Sequence, residues 1–199
     1  MNIKLIHGFL ADIAANNNRP WFQAHKAEYE RAKQEFEDGV RTLIEELATF
    51  DPEISHLTVK DCCYRFYRDV RFSSDKSPYK RHFGAYICAH GRKSLRGGYY
   101  LHIQPGHCLV AVGSYWLPTN ILTSMRNEIM GNIDEWRNRV EDGRFIHYFG
   151  YPNESAWEGD LPVDEKIFEK PDWVRQVAEI CKVAKPMMDF VNSVVDDYE

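Results

Sequence analysis

The sequence predicts an α+β protein in which a central, mainly antiparallel sheet is flanked by helices from both chain ends. Apolar residues recur at helical spacing near both ends, whereas the middle segments alternate in the manner of strands. Short turns join these middle segments. We expect a single domain over residues 1–199, with N-terminal helices at 3–50, strands at about 62–116 and C-terminal helices at 119–198.

The N-terminal region is predicted to be helical. Apolar residues over 3–15 follow the three- and four-residue spacing of an amphipathic helix, and three asparagines at 16–18 end it. Pro20 suits the first turn of a second helix, which continues to about Phe50. The helical N-terminal region ends before Pro52, because the residue that precedes a proline is disfavoured in the helical conformation.

The middle of the chain is predicted to form a sheet. Four strand candidates lie at residues 62–69, 82–88, 99–104 and 108–116. The connections at 90–94 and 105–107 are short and rich in turn-forming residues, whereas parallel neighbours need a crossover of about a dozen residues or more. The last three candidates are therefore expected to form an antiparallel meander.

Helical spacing returns after the strands. It predicts helices at 119–130 and 134–140, and a final helical region over 171–198. Pro186 is expected to kink or split this last helix, because proline lacks the backbone N–H that a helix interior uses.

Composition limits the class of protein. The 199 residues are 44% apolar and 28% charged, which is typical of a globular chain with one core. No run approaches the ~18 apolar residues that span a bilayer, and the opening residues do not resemble a signal peptide, so we expect a cytoplasmic protein without a membrane partner. The five cysteines contain no CxxC pair, which indicates reduced thiols.

Charge is unevenly distributed. The net charge is -5, yet residues 60–96 contain ten Lys and Arg against three Asp. A basic centre of this kind attracts an anionic partner despite the overall sign. The alternative is that these charges lie on both faces of a sheet and only keep it soluble.

The run over residues 63–84 holds more charged and aromatic side chains than a strand connection needs. Arginine offers a planar fork for two oxygens and lysine a point charge, so we predict a pocket for an anionic small molecule, phosphorylated ligands included. The predicted ligand-binding residues are Arg65, Arg68, Arg71, Lys76, Tyr79 and Lys80. Asp69 would orient the arginines.

Strand alternation would place Arg68 on one face with Tyr64 and Phe66. A guanidinium beside aromatic neighbours needs an anionic ligand or a carboxylate. The alternative partner is Glu45 or Glu46 on a packing helix.

A phosphate-ester enzyme is a second hypothesis. Proton transfer would require His82, His102 or Asp69 within reach of the reacting group, with Arg68 and Arg71 stabilising the developing charge. The catalytic residues, the cofactor and the question whether the chain is an enzyme stay open.

Two further hypotheses are an interaction module for nucleic acid or protein, and an internal ion-pair network that only fixes the sheet. The first depends on tyrosines that could stack bases, namely Tyr64, Tyr67, Tyr79, Tyr86, Tyr99 and Tyr100. No spacing repeats a known metal-ligand pattern, so we expect no metal site.

Four ordered motifs carry a family resemblance. They are Asn-Asn-Asn-Arg-Pro-Trp-Phe at 16–22, Tyr-Arg-Asp-Val-Arg-Phe-Ser at 67–73, Asp-Lys-Ser-Pro-Tyr-Lys at 75–80 and Gly-Tyr-Tyr-Leu-His-Ile-Gln-Pro-Gly at 98–106. Over nearly the whole chain the sequence resembles an uncharacterised, mainly bacterial family known as domain of unknown function 2461. The resemblance implies no activity. One departure follows Gly159, where the family pattern carries a Lys- and Pro-containing stretch before the final helices.

Overall fold

The computed structural model describes residues 1–151 and 160–199. Within these ranges the helices are α1 (Ile3–Ala15), α2 (Arg19–Ala24), α3 (Lys26–Leu47), α4 (Val59–Cys62), α5 (Thr119–Gly131), α6 (Ile133–Val140), α7 (Gly143–Phe149) and α8 (Trp173–Val195). The strands are β1 (Phe83–Ile87), β2 (Gly98–Ile103), β3 (Leu109–Gly113) and β4 (Asp160–Pro162), and short 3-10 helices cover Pro52–Ile54 and Glu165–Glu169. These elements confirm the α+β class. The single-domain organisation stays a prediction, and the departure that follows Gly159 borders a segment outside the described residues.

The predicted helix over 20–50 is two helices, because the chain leaves the helical conformation at His25. The His25 ring stacks on Trp21 with centroids 3.9 Å apart, and its Nδ1 donates to the Trp21 carbonyl oxygen at 2.8 Å. This side chain competes locally with the backbone hydrogen-bond pattern, so α2 ends there and α3 begins at the next residue.

The three asparagines at 16–18 have separate roles. The backbone and side-chain amides of Asn16 donate to the Asp12 carbonyl oxygen and end α1. Asn17 forms two bonds with the backbone of Tyr79, one to its N–H and one to its carbonyl oxygen, both at 3.0 Å. Asn18 caps α2 by accepting from Trp21 N at 3.0 Å. The motif therefore joins the turn between two helices to a distant extended segment.

The strand expected over 62–69 is wrong. The segment begins as α4, and from Cys63 the chain is extended with only isolated bridges, from Cys63 to Ala85 and from Tyr67 to Tyr79. Cys63 and Phe66 both pack against the core, whereas Tyr64 between them is exposed. A three-residue interval between inward side chains does not match the two-residue period of a regular strand.

The meander predicted from the last three strand candidates is confirmed. The sheet has the order β1-β2-β3-β4, and each neighbouring pair is antiparallel. The short β4 was not predicted from the sequence, because three residues carry too little alternation to be recognised.

The two faces of the sheet differ. The inner face packs into the core and consists of Phe83, Ala85, Ile87, Tyr99, Leu101, Ile103, Val110 and Val112. The opposite face, here called the outer face, carries Gly84, Tyr86, Tyr100, His102, Leu109 and Ala111. Helices α3 and α8 contact each other and lie on the inner side, against β1 and β3 respectively.

Helix α8 is continuous through Pro186, so the predicted split does not occur. Its apolar side packs on α3 and β3. Near its C-terminal end the buried amide of Asn192 accepts from Gly97 N at 2.6 Å and donates to Gly97 O at 3.4 Å, which fixes the helix to the start of β2. Among the described residues, no helix combines the length and apolarity that a membrane crossing requires. The cytoplasmic location stays a prediction.

We expect Asn17→Ala to lower the free energy of unfolding by about 2 kcal/mol, because it leaves a backbone N–H and a carbonyl of the buried Tyr79 without partners. Urea denaturation measures this. Asn16→Ala, which removes one exposed bond, is the matched control. Equal stability of the two variants would contradict the role assigned to Asn17.

Candidate functional site

The basic loop, residues 68–77, satisfies its own charges. The Arg68 guanidinium donates to Asp75 Oδ2 at 2.6 Å and to the Ser77 carbonyl oxygen at 3.0 Å. The expectation that Glu45 or Glu46 would pair with Arg68 is therefore wrong. It assumed a regular strand, whereas the loop folds back and brings an acid seven residues away against the guanidinium.

The other charged groups of the loop are also occupied. Arg71 pairs with Asp69 at 2.7 Å, and Lys76 Nζ donates to the Val70 carbonyl oxygen at 3.0 Å. Hydrogen bonds from Arg71 lower the pKa of Asp69 to about 2, and hydrogen bonds from Ser77, followed by Arg68, lower the pKa of Asp75 to about 2. Both carboxylates are ionised at neutral pH, so Asp69 is not suited to donate a proton there.

Tyr79 lies in the core. Only 1% of the residue is exposed, and its ring stacks on Phe22 with centroids 4.1 Å apart. The same cluster contains Phe66, whose ring centroid lies 6.0 Å from that of Tyr79. This tyrosine anchors the loop to α2, with its ring in the core.

Two of the predicted ligand-binding residues, Arg65 and Lys80, lie apart from these pairs and are joined by Arg92. Lys80 Nζ lies 5.1 Å and Arg92 Cζ 5.8 Å from the ring centroid of Tyr64. Arg92 also donates to the Cys63 carbonyl oxygen. Burial, followed by the charges of Arg65 and Arg92, lowers the pKa of Lys80.

These three cations lack direct acidic partners. In the part of the chain that the structure describes, no carboxylate oxygen lies within 4.0 Å of Arg65, Lys80 or Arg92, although the loop arginines have such partners at 2.6 and 2.7 Å. The Tyr64 ring, and not a carboxylate, holds Lys80 and Arg92 in position. Such an arrangement favours the approach of an anion.

Two histidines extend this surface. His82 and His102 stack with ring centroids 4.2 Å apart and an interplanar angle of 28°. Antiparallel pairing explains the contact, because His102 lies opposite Gly84 and His82 precedes Gly84 by two residues. Burial, followed by His102 and Lys80, lowers the pKa of His82 to about 3. The His82 ring is therefore neutral at physiological pH.

Tyr100 completes the surface. Its hydroxyl lies 2.9 Å from His102 Nδ1, and its ring meets Tyr64 edge-on at 6.3 Å. A Cβ at Gly84 would come within 3.0 Å of the Tyr100 hydroxyl, so the glycine lets the ring lie across β1. We call the set of seven residues the outer-face cluster: Tyr64, Arg65, Lys80, His82, Arg92, Tyr100 and His102.

The cluster differs from the predicted site. It contains Arg65, Lys80 and both candidate histidines, but not the loop residues Arg68, Asp69, Arg71 and Lys76 or the core residue Tyr79. No local sequence pattern places Arg92 in the site, because the turn at 90–94 is remote in the chain from residue 65. The bridge from Cys63 to Ala85 and the hydrogen bond from Tyr64 N to Gly84 O hold Tyr64 beside β1, close to the turn that follows β1.

The tyrosines that suggested base stacking differ in solvent exposure. Tyr79, Tyr86 and Tyr99 are buried, and the hydroxyl of Tyr86 donates to the carbonyl oxygens of Arg96 and Gly113. Tyr64 and Tyr67 are 40% and 49% exposed. A continuous stacking platform for several bases is therefore not formed by this set.

A second concavity lies between α6 and α8. Its charges are largely paired across one helical turn, Arg139 with Glu135 and Lys185 with Asp189. Surface pairs of this type stabilise helices by small amounts and leave little charge for a ligand. The outer-face cluster is the stronger candidate.

The fold and this surface define an α+β protein with a cationic, aromatic patch on one face of the sheet that β1 to β4 form in the described residues. The chain belongs to the family described as "Conserved hypothetical protein (DUF2461)", which matches residues 6–161, and the resemblance drawn from the four motifs is thereby confirmed. No curated protein and no solved structure matches the chain.

The His82 pKa predicts an acid-sensitive contribution to stability. The folded-state pKa of His82 is about 3 and the ordinary value is 6.5, so below pH 6.5 the unfolded chain binds a proton that the folded chain does not. The contribution of neutral His82 to the free energy of unfolding is therefore complete above pH 6.5 and is lost as the pH falls towards 3. Between pH 6 and 4 we expect the unfolding free energy of the wild type to fall more steeply than that of His82→Gln, by about 1 kcal/mol per pH unit.

Urea denaturation at several pH values measures the difference, with the exposed His56→Gln as control. NMR titration of the imidazole gives the pKa directly. A His82 midpoint near 6.5 would contradict the assigned burial.

Proposed function

We propose that the outer-face cluster binds an anionic small molecule, with phosphorylated ligands the best match to its donors. Arg65, Lys80 and Arg92 supply the positive charge, and the hydroxyl group of Tyr64 supplies a neutral donor. The observation that supports this proposal is the gathering of three cations without a direct carboxylate partner among the described residues.

The energetics favour an anion at this place. Bringing like charges together on a half-buried surface costs free energy, and part of that cost is visible in the lowered pKa of Lys80. A bound anion offsets the repulsion and favours the charged form of the lysine. The Tyr64 ring holds Lys80 and Arg92 by cation–π contact, which positions the charges and leaves them un-neutralised.

The proposal divides the predicted site into two parts. Arg65 and Lys80 bind the ligand together with Arg92, whereas Arg68, Arg71 and Lys76 shape the loop through their internal contacts. The loop arginines thus form the internal ion pairs, and ligand binding is proposed for the outer face of the sheet. Because Arg68 and Arg71 are paired and His82 is held neutral, the proposal is limited to binding and includes no phosphate-ester chemistry.

The test is isothermal titration calorimetry with inorganic phosphate and pyrophosphate at low salt. Lys80→Gln and Arg92→Gln are expected to weaken binding by about tenfold or more each, since charge-assisted hydrogen bonds contribute roughly 1.5–3 kcal/mol. The matched controls are Lys76→Gln for the lysine and Arg71→Gln for the arginine, both expected to change the affinity less than twofold.

Failure of phosphate and pyrophosphate to bind the wild type would overturn the proposal, as would an equal loss in the loop controls. A short single-stranded oligonucleotide forms a third arm. If it alone binds, with affinity that falls steeply with salt, the anion is a polymer backbone and the small-molecule assignment is wrong.

A further inference from the structure

A second group of reactive side chains lies away from the outer-face cluster. It consists of His7 on α1, Cys108 just before β3, and Glu165 at the start of the 3-10 helix after β4. Among the described residues this is the group whose ligand atoms, one from each residue, all lie within 4.8 Å of one another.

The contacts within the group are close. His7 Nε2 lies 3.7 Å from Cys108 Sγ, and His7 Nδ1 lies 3.6 Å from Glu165 Oε2. Ligand atoms around one tetrahedral zinc ion lie about 3.3–3.8 Å apart, given Zn–S and Zn–N bonds of about 2.3 and 2.0 Å. The two contacts use opposite nitrogens of the ring, so an ion bound by the sulfur takes only one of them. Because one ligand atom from each residue lies within 4.8 Å of the others, a contraction of about 1 Å in the longest spacing would bring one ring nitrogen, the sulfur and a carboxylate oxygen onto the same ion.

The surroundings hold the three residues in position. Val163 N donates to the Cys108 carbonyl oxygen at 3.1 Å, which fixes the chain after β4 against the residue that carries the thiol. Gly106 N donates to Glu165 Oε2 at 3.0 Å and orients the carboxylate. Supporting bonds of this kind are what a metal site needs around its ligands.

Burial is graded from one side of the group to the other. Cys108 is 4% exposed, whereas the side chains of His7 and Glu165 are 18% and 45% exposed. The carboxylate thus lies where an ion would enter, and the sulfur lies at the closed end. We propose that His7, Cys108 and Glu165 form a binding site for a thiophilic divalent cation, with Zn²⁺ the best match to one sulfur, one nitrogen and one oxygen ligand.

An alternative use of the same residues is a nucleophilic cysteine with a histidine base. The order sulfur, imidazole, carboxylate resembles such an arrangement. The thiol is nearly inaccessible, and burial raises the pKa of Cys108. A substrate would have to reach a buried, protonated thiol, whereas a metal ion only displaces the thiol proton to solvent on binding.

The sequence predicts no metal site, because the three ligands stand at positions 7, 108 and 165. No short motif connects them. They meet because β3 pairs with β4 and His7 of α1 contacts Cys108 just before β3.

The experiment uses the full chain freed of metal by dialysis against a chelator. Zn²⁺ titration by calorimetry is expected to give one ion per chain, and Co²⁺ is expected to give the near-ultraviolet absorption of a thiolate-to-cobalt charge transfer. Cys108→Ser removes that absorption. Glu165→Gln, which keeps an oxygen for the Gly106 N–H, weakens Zn²⁺ binding by more than tenfold.

Matched controls separate the site from general effects. Glu169→Gln removes an acid from the same 3-10 helix that also acts on His7, and Cys62→Ser removes a buried thiol elsewhere. Both should bind Zn²⁺ like the wild type. Absence of the Co²⁺ charge-transfer band in the wild type overturns the proposal, because adventitious binding to surface histidines gives no thiolate band.

A further measurement covers the case in which Cys108→Ser does not fold. Alkylation of the wild-type chain in mild urea, mapped by mass spectrometry, is expected to label Cys108 at least tenfold more slowly with Zn²⁺ than without it. Cys62 and Cys63 should show a smaller change. Equal protection of all cysteines, or no protection of Cys108, contradicts the site.

Discussion

The stacking of Tyr79 on Phe22 is the contact on which the surface of this protein depends. It places an aromatic ring from the start of the sheet region against α2, and Asn17 holds the backbone of the same residue by two hydrogen bonds. The next residue, Lys80, lies against the Tyr64 ring, and His82 stacks on His102. A core contact therefore fixes the backbone next to the first of these charged groups and at the end of the basic loop.

The basic loop and the cations of the outer-face cluster are neighbours in sequence but differ in how their charges are balanced in the fold. In the loop, each arginine has an acid within a few residues, so the charges are neutralised where they arise. On the outer face, Lys80 and Arg92 lie against the ring of Tyr64, and the charge of Arg65 acts on Lys80 from nearby. A π-face attracts a cation without cancelling its charge, so the ring concentrates positive potential at a place where a carboxylate would remove it.

Local properties of the chain were predictable from the sequence, and long-range ones were not. Helical spacing and short turns predicted the end helices and the β1-β2-β3 meander, since both are set by neighbouring residues. The prediction of a strand at 62–69 was wrong. Residue types alternate there, but the side chains that face the core, Cys63 and Phe66, are three residues apart. The role of Arg92 and the grouping of His7 with Cys108 depend on strand pairing and helix packing, which no local pattern records.

Helix α8 carries a consequence for how this family is delimited. The family match ends at residue 161, whereas α8 begins at Trp173 and covers α3 and β3 with its apolar side. Its Asn192 also satisfies both backbone groups of Gly97 at the start of β2. The family match thus covers residues 6–161, whereas the hydrophobic core also needs α8. A fragment that ends at residue 161 would contain all four motifs but would lack α8, which covers one side of the hydrophobic core.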